Sequence, residues 1–338
     1  MRKWNSLADV PSDFGPSVVT LGNFDGMHRG HRHLITVAVE HARQRQAKAA
    51  AITFYPHPAA VHQPERGLIQ LQSLPDRLGA LQALGLDGVL VVAYTLEFSR
   101  LTPGEFAQRY LADGFGAVEV VAGRDIRFGA DNSGNLDTMR QLGQRLGFGL
   151  TVVEDQFDSA DPKADRWSSS AVRQALVSGD AAQAARVLGR PHRVTGLVVH
   201  GDGRGRQLGF PTANLGGRIT GLIPADGVYA GYIVRPGAVA SGAGVADVVL
   251  PAAISVGVNP TFTTPGTAQP QRRVEAYALG RDDLDLYDQV IAVDFVARLR
   301  HTLAFADTAA LVTQMRSDAA AAARILYARP PDRVRVDL

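Results

Sequence analysis

The order of predicted strands and helices changes once along this chain, and this change restricts the possible folds more than any other feature of the sequence. In the first half, short apolar runs alternate with helical patterns. The candidate strands are 18–22, 49–54, 89–94, 118–123 and 150–154, and the candidate helices are 30–46, 75–84, 103–111 and 134–146. Apolar strands separated by helices predict a Rossmann-like parallel α/β sheet with helices on both faces. Ligands of such sheets bind beyond the carboxyl ends of the strands.

From Gly189 onwards the predicted strands follow one another directly, at 192–200, 228–234, 248–256, 274–279 and 290–299. This order is typical of an antiparallel β-barrel or sandwich. Residues 236–246, rich in Gly and Ala, predict a loop, and residues 308–327 predict a terminal amphipathic helix. A chain of 338 residues is too long for one ordinary core. We therefore expect two dissimilar domains, 1–188 and 189–338.

Composition excludes several classes of function. The chain has no cysteine, which removes disulfides, thiolate metal sites and cysteine nucleophiles. It has no apolar run of about 18 residues and no secretory signal pattern, so we expect a cytoplasmic protein without a membrane span. The net charge of +2 and the lack of a basic block argue against a nucleic-acid partner, and nothing indicates a homo-oligomer. Only Lys3, Lys48 and Lys163 are lysines, so phosphate contacts are expected from Arg, His, backbone N–H groups or a metal.

The segment GNFDGMHRGH, residues 22–31, follows the first predicted strand. Its glycines allow the backbone to approach a ligand, and the free N–H groups of the following helix favour a phosphate. His28 and His31 lie three residues apart, on one face of the first helical turn. An isolated pair of this kind would more often be two surface histidines beside a tight turn. The strand, the helix, the glycines and Asp25 around it favour a polyphosphate site.

A second glycine-rich segment, GDGRGRQLGFPTAN, spans residues 201–214. It has neither dinucleotide-binding nor Walker A spacing, and it lies among strands with no helix expected after it. Its backbone and arginines can wrap phosphates, and Thr212 and Asn214 offer the hard oxygen donors that Mg²⁺ prefers. Glu275 lies between apolar residues at alternating positions and is a candidate general base. Taken alone, it would more often be a solvated strand carboxylate.

The motifs of the first half resemble those of bacterial FAD synthetases, which belong to the nucleotidylyltransferase superfamily. Residues 22–31 resemble the HxGH signature, 53–58 (TFYPHP) the TFxPHP motif, 123–129 (GRDIRFG) GxDFxFG, and 166–173 (RWSSSAVR) RISSTxxR. The resemblance implies adenylyl transfer from ATP to FMN with release of pyrophosphate, with His28 and His31 as catalytic residues. It assigns ATP binding to Gly22, Phe24, Asp25, Gly26, His28, Gly30, His31, Asp125, Arg166, Ser168, Ser169, Ser170 and Arg173. It assigns flavin binding to Phe54, Pro56, His57, Pro58 and Phe128.

Three residues depart from the family pattern. Trp167 replaces an isoleucine, Ile126 a phenylalanine and Ser170 a threonine, although Ser170 keeps the hydroxyl. The changes at Trp167 and Ile126 alter the packing beside the nucleotide, so we expect them to affect the affinity of the protein for that nucleotide. Residues 168–170 also predict the N-cap of a helix over 171–177. We expect His28 and His31 to be largely neutral without ATP and to gain charge as phosphates arrive.

The second half resembles riboflavin kinases. Residues 201–215 resemble their glycine-rich motif with PTAN intact, 227–230 their GVYA, 257–262 their GxxPTF, and 274–275 and 286–287 the positions that follow. The resemblance implies a six-stranded antiparallel barrel with a terminal helix. It also implies that Glu275 accepts the proton of the riboflavin 5′-hydroxyl and that Thr212 and Asn214 place Mg²⁺. The implied ATP and phosphate contacts are Gly201, Gly203, Arg204, Gly205, Arg206, Gly209, Pro211, Thr212 and Asn214.

The favoured interpretation is a bifunctional enzyme that converts riboflavin to FMN and FMN to FAD, with ATP as co-substrate of both steps. One alternative is a riboflavin kinase whose first domain is degenerate, which the changes at Trp167 and Ile126 would permit. A second is a flavin- or nucleotide-sensing regulator without turnover, but the candidate catalytic side chains are all present. A third is a nucleic-acid-binding barrel, for which the interleaved aromatic and basic residues are absent.

Overall fold

The computed structural model describes residues 1–157, 166–201, 204–235, 248–258 and 272–328, with the backbone alone at Arg204 and Val258. Within them the chain forms two compact units, one of which is Met1–Ser168 while the other begins at Ser169. Among the described residues, every helix is either too short or too polar to span a lipid bilayer.

The first unit is built on a six-stranded parallel sheet with the order β1-β4-β3-β2-β5-β6. The strands are β1 Arg2–Trp4, β2 Ser17–Leu21, β3 Lys48–Tyr55, β4 Gly88–Ala93, β5 Ala117–Gly123 and β6 Gly149–Val153. The helices are α1 Arg29–Gln44, α2 Pro58–His62, α3 Leu74–Ala83, α4 Pro103–Phe106 and α5 Leu136–Leu146. A π-helical stretch, Ala107–Gly114, continues α4, and single 3₁₀ turns lie at Leu7–Asp9, Pro64–Arg66, Phe98–Arg100 and Ala130–Asn132.

Both faces of this sheet are covered, as the apolar strands predict. Neighbouring residues of the wholly buried β2 belong to different cores, with Val18 packing on the α1 side and Val19 on the side of Phe106. Strand residues alternate between the two faces of a sheet, so a strand buried on both sides must be apolar throughout. The predicted parallel α/β sheet is therefore confirmed. The short edge strand β1 was not predicted.

The second unit contains a closed six-stranded antiparallel barrel with the order β10-β11-β8-β7-β12-β9. The strands are β7 His192–Val199, β8 Thr212–Thr220, β9 Gly227–Arg235, β10 Val248–Val258, β11 Arg272–Ala278 and β12 Val290–Arg300. The helices are α6 Ser169–Ser178, α7 Ala181–Leu188, α8 Arg204–Gln207 and α9 Thr308–Tyr327. The barrel and its terminal helix confirm the predicted fold of this half.

Two elements of the second unit were not predicted. A short helix, α8, lies within the glycine-rich segment, and Gly209, with φ +81°, lies just beyond its end. Strand β8, which carries the PTAN residues, was not predicted because Gly216 and Gly217 interrupt its apolar pattern. The predicted loop 236–246 and residues 259–262 of the GxxPTF-like motif lie outside the described residues.

The helices α6 and α7 precede the domain boundary expected from the sequence, yet both pack with the barrel. Ala181 is fully buried in the same core as Val194 and Phe295. The N–H of Ala225 donates a 2.9 Å hydrogen bond to the carbonyl of Leu176. The boundary at residue 189 remains a prediction, and the described contacts group residues from Ser169 onwards with the barrel.

Candidate active sites

The first candidate site lies where β2 ends and α1 begins. Three residues of the intervening loop have positive φ angles, namely Phe24 (49°), Gly26 (85°) and Met27 (46°). Phe24 and Met27 are nevertheless fully buried in the core. Backbone in this region is strained for residues with a side chain and persists only where packing enforces it. The core therefore holds the loop in a shape that its local sequence disfavours.

His28 and His31 are brought together as predicted, but His28 has an additional structural task. It is the N-cap of α1, and its Nδ1 accepts a hydrogen bond from the His31 N–H at 3.3 Å. The two rings stack with centroids 3.6 Å apart and an angle of 25°. A Cβ at Gly30 would lie 3.1 Å from Nδ1 of His28. Because Nδ1 is an acceptor here, the neutral His28 ring carries its proton on Nε2.

Burial keeps both imidazoles neutral near pH 7. The pKa of His28 is lowered to about 4, first by burial and then by the charge of Arg166. The pKa of His31 is lowered well below its ordinary value by burial, then by His28 and then by Arg77. A neutral imidazole still offers one N–H donor to a phosphate. The expected neutral state without ATP agrees with these shifts, while charge uptake on ATP binding remains a prediction.

Other residues of the glycine-rich loop support its shape. Asp25 is buried, and its carboxylate accepts hydrogen bonds from the Leu71 N–H at 2.9 and 3.2 Å. A Cβ at Gly22 would lie 3.1 Å from the Phe24 ring. These contacts give Asp25 and Gly22 a clear role in positioning the loop.

The TFYPHP turn closes the carboxyl end of β3. Thr53 is buried and its hydroxyl donates to the Asn23 carbonyl at 3.3 Å, which joins this turn to the glycine-rich loop. The Tyr55–Pro56 bond is cis. His57 caps α2 by accepting from the Ala59 N–H at 3.1 Å, and Pro58 occupies the first turn of that helix.

An aromatic cluster lies beside this turn. The Phe54 ring centroid is 5.9 Å from that of Tyr94 and 5.8 Å from that of Phe98. Tyr94 and Phe98 were not predicted, because single aromatic residues after an apolar strand carry no motif. Their positions at the carboxyl edge of the sheet were the only signal that could have found them.

Asp125 and Arg166 meet although 41 residues separate them. The Arg166 guanidinium contacts Asp125 at 2.8 Å and Asp155 at 3.2 Å. Both carboxylates raise the pKa of Arg166 against the opposing effect of its burial. Asp125 remains 63% exposed, so it is accessible to a ligand.

The remaining predicted residues of this site lie on several elements. Phe128 and Ile126 are buried in the core, with Phe128 6.0 Å from the Phe106 ring. Trp167 receives the Arg29 guanidinium 5.2 Å above its ring. Ser168 ends the first unit, whereas Ser169, Ser170 and Arg173 lie on α6 in the second.

Four side chains of the second candidate site lie on the outer face of the barrel. Strand pairing places Asn214 opposite Glu275 and Thr212 opposite Tyr277. All four are half-buried, whereas the intervening Ala213, Val274 and Ala276 face the barrel core. Since side chains alternate along a strand, the four share one face. Two motifs far apart in sequence are thus adjacent.

Two clefts meet at Glu275. The arch cleft, about 210 Å³, lies beside the glycine-rich segment and is lined by residues that include Gly201, Arg206, Pro211, Asn214, Arg281 and Tyr287. The helix cleft, about 300 Å³, lies beside α9 and is lined by residues that include Leu208, Phe210, Tyr277, Leu303, Leu311 and Met315. Gly205, Thr212 and Glu275 line both. One cleft is therefore rich in polar groups and the other in apolar side chains.

The glycines of this segment are needed for close approach. A Cβ at Gly201 would lie 2.6 Å from the Asn214 amide nitrogen, and one at Gly205 would lie 2.5 Å from the Phe210 carbonyl oxygen. The Arg206 guanidinium lies 5.9 Å above the Tyr287 ring, which stacks on His200 at 3.9 Å. Gly203 and the Arg204 side chain lie outside the described residues.

Comparisons with known proteins match both halves of the chain. The sequence model of the FAD synthetase family matches residues 10–170, and that of the riboflavin kinase family matches residues 188–326. The bifunctional riboflavin kinase/FMN adenylyltransferase of Pseudomonas fluorescens is 34% identical, covering 95% of this chain and 97% of its own. That of Escherichia coli K12 is 32% identical, covering 94% and 95%. A crystal structure described as a macrolide-efflux protein from Streptococcus pneumoniae superposes with a TM-score of 0.80 at 28% identity, over 94% of this chain and 96% of that one.

Proposed function

Because the chain belongs to the family of bifunctional riboflavin kinase/FMN adenylyltransferases, we propose that its two reactions take place at the two sites described above. The enzyme phosphorylates riboflavin with ATP to give FMN, and it adenylylates FMN with a second ATP to give FAD and pyrophosphate. The assignment of residues to these steps is our proposal. We also place the enzyme in the cytoplasm, which the lack of cysteines supports.

The position of Glu275 between two clefts carries the assignment of the kinase site. The apolar helix cleft suits the isoalloxazine ring system, and the arch cleft, with Arg206 and the glycine backbone, suits the ATP phosphates. The ribityl 5′-hydroxyl then reaches Glu275, which accepts its proton as the oxygen attacks the γ-phosphorus. The P–O bond to ADP breaks and ADP leaves.

The donor set of the kinase site fits Mg²⁺. Thr212 and Asn214 present a hydroxyl and an amide oxygen on one face, and the Asn214 amide nitrogen donates to the Thr212 carbonyl at 3.3 Å. Mg²⁺ bound with nucleotides usually takes few protein ligands and completes its shell with phosphates and water. Among the described residues no cluster of three or more His, Cys, Asp or Glu side chains forms a metal cage. Thr212 and Asn214 would hold the ion, which would neutralise charge on the transferred phosphoryl group.

Adenylyl transfer requires positioning and charge neutralisation rather than a protein nucleophile. We assign the ATP phosphates to the glycine-rich loop and to the imidazole N–H groups of His28 and His31. An oxygen of the FMN phosphate attacks the α-phosphorus, and pyrophosphate leaves. Phe54, Tyr94 and Phe98 offer the flavin an aromatic surface at the adjoining strand end.

Paired variants test this division of labour. Glu275→Gln should lower FMN formation by roughly 10²- to 10⁴-fold, because the general base is lost, and should leave FAD formation from supplied FMN unchanged. The double variant His28→Ala/His31→Ala should do the reverse. Flavins are separated after incubation with ATP and Mg²⁺.

Each variant is the matched control for the other. Loss of both reactions in either folded variant would contradict the two-site assignment. Wild-type protein that forms no FAD and no pyrophosphate from FMN and ATP would support the kinase-only alternative.

A further inference from the structure

Arg77, on α3, is a buried arginine that no sequence motif marks. Its side chain is fully buried, and burial lowers the pKa of its guanidinium although Asp25 and Tyr55 oppose this. Burying a cation without a bonded carboxylate is costly, so arginines almost never occupy such positions unless they are paired.

The guanidinium is hydrogen-bonded on one side only. Its NH1 group donates to the Thr53 hydroxyl at 3.3 Å and to the Phe54 carbonyl at 3.2 Å. Nε and NH2 are buried and have no hydrogen-bond partner among the described residues. Both acceptors are neutral, so the positive charge is not cancelled by the groups that it contacts.

The hydrogen bonds of Arg77 lead to the phosphate-binding loop of the first site. The Thr53 hydroxyl, which accepts from Arg77, itself donates to the Asn23 carbonyl at 3.3 Å. The next residue, Phe24, places its ring edge-on to His31 with centroids 5.3 Å apart. Arg77 is therefore connected to both the TFYPHP turn and the HxGH loop.

His31 experiences the charge of Arg77. Arg77 is one of the groups that lower the pKa of the His31 imidazole, after burial and His28. The Nδ1 atom of His31 is itself buried without a hydrogen-bond partner among the described residues. A cation in the interior is screened little by salt and acts over a longer range than one at the surface.

We propose that Arg77 is a positioning residue for adenylyl transfer, which fixes the carboxyl end of β3 against the glycine-rich loop and supplies a permanent positive charge that acts on His31. The inference rests on the proposed function of the first site. Fixing Thr53 and Phe54 sets the spacing between the flavin-side turn and the phosphate-side loop. The charge favours the phosphate groups that gather negative charge during transfer, and it is already oriented before they bind.

The test compares Arg77→Met, which keeps length and loses charge, with Arg77→Lys, which keeps the charge and loses the planar fork. In the full-length protein, Arg77→Met should lower kcat for FAD formation on the order of 10- to 100-fold, with a smaller change in the KM for ATP. Arg77→Lys should recover a large part of that loss. Riboflavin kinase activity in the same samples should stay within about twofold and reports the enzyme concentration.

Two further measurements separate this role from a structural one. Thr53→Val removes the hydroxyl between Arg77 and Asn23 and should lower kcat for FAD formation without changing any charge. The His31 imidazole, followed by NMR, should have a higher pKa in Arg77→Met than in the wild type. Arg140→Met, at an exposed site on α5, is the control and should change neither quantity.

The proposal would be overturned if folded Arg77→Met formed FAD at a rate within about twofold of the wild type. It would also be overturned if the pKa of His31 were unchanged in that variant. If Arg77→Met does not fold, Thr53→Val decides, and a normal kcat for FAD formation in that variant is equally contrary. Wild-type protein without adenylyltransferase activity would contradict the proposed function instead. The His31 titration would then still test the connection to Arg77.

Discussion

Burial keeps the imidazoles of His28 and His31 neutral at a pH at which free imidazoles would begin to protonate. His28 uses its Nδ1 to cap α1, so protonation would both charge a buried ring and remove the cap. At the residue scale, one side chain thus serves the fold and the chemistry together. A Cβ at the adjacent Gly30 would crowd the His28 ring.

This pair leads to a prediction about pH. The folded pKa of His28, about 4, lies below its ordinary value of 6.5. Its neutral form therefore contributes stability that is complete above about pH 6.5 and is lost as the pH falls towards about 4. NMR titration of the ligand-free protein should show neither imidazole titrating near pH 6.5. A non-hydrolysable ATP analogue should raise both pKa values, and values that stay unchanged would contradict the expected charge uptake.

At the element scale, α9 combines a firmly packed half with an exposed one. Ala322 and Leu326 are buried against the barrel, and Asp318 forms a 2.7 Å ion pair with Arg300. The first half of the helix instead lines the helix cleft through Leu311 and Met315. The start of α9 therefore depends on local interactions more than on packing.

The N-cap of α9 provides a test of that dependence. Asp307 accepts a hydrogen bond from the Ala310 N–H at 2.7 Å. Asp307→Ala should destabilise the helix start by about 1 kcal/mol and raise the KM for riboflavin. Asp307→Asn, which keeps a capping oxygen, is the matched control and should stay close to wild type. An unchanged KM in Asp307→Ala would mean that the start of α9 does not shape the flavin site.

At the scale of the whole molecule, the barrel has a core of its own that includes part of the sequence before residue 189. Leu176, Ala181, Ala184, Val187 and Leu188 are all buried on α6 and α7. These helices bury apolar surface within the second unit, and each buried leucine or valine side chain contributes roughly 1.5–3 kcal/mol.

Two shortened chains test where the second domain begins. A fragment that starts at Ser169 should retain riboflavin kinase activity, and it should unfold at a higher urea concentration than one that starts at Gly189. The difference in free energy of unfolding should be a few kcal/mol because α7 no longer covers the barrel core. Equal midpoints and equal slopes would favour the boundary at residue 189.

The elements with strong periodicity could be predicted from the sequence alone. The buried strands β2 and β3, helix α1 and the terminal helix α9 fall close to their expected positions. Strand β8 could not be predicted, because two glycines interrupt its apolar pattern. The strand is stabilised by its pairing with β7 and β11. Helix α8 is a single turn, too short for a periodic signal.

The sequence by itself determined the two fold classes and the chemistry available to them, because hydrophobic periodicity and motif spacing are local properties of a chain. Only the tertiary structure placed Asn214 opposite Glu275 and made Glu275 common to two clefts. Only it buried Arg77 beside Thr53 and lowered the pKa of His28. Burial, strand register and electrostatic environment depend on residues distant in sequence, and they exist only once the chain has folded.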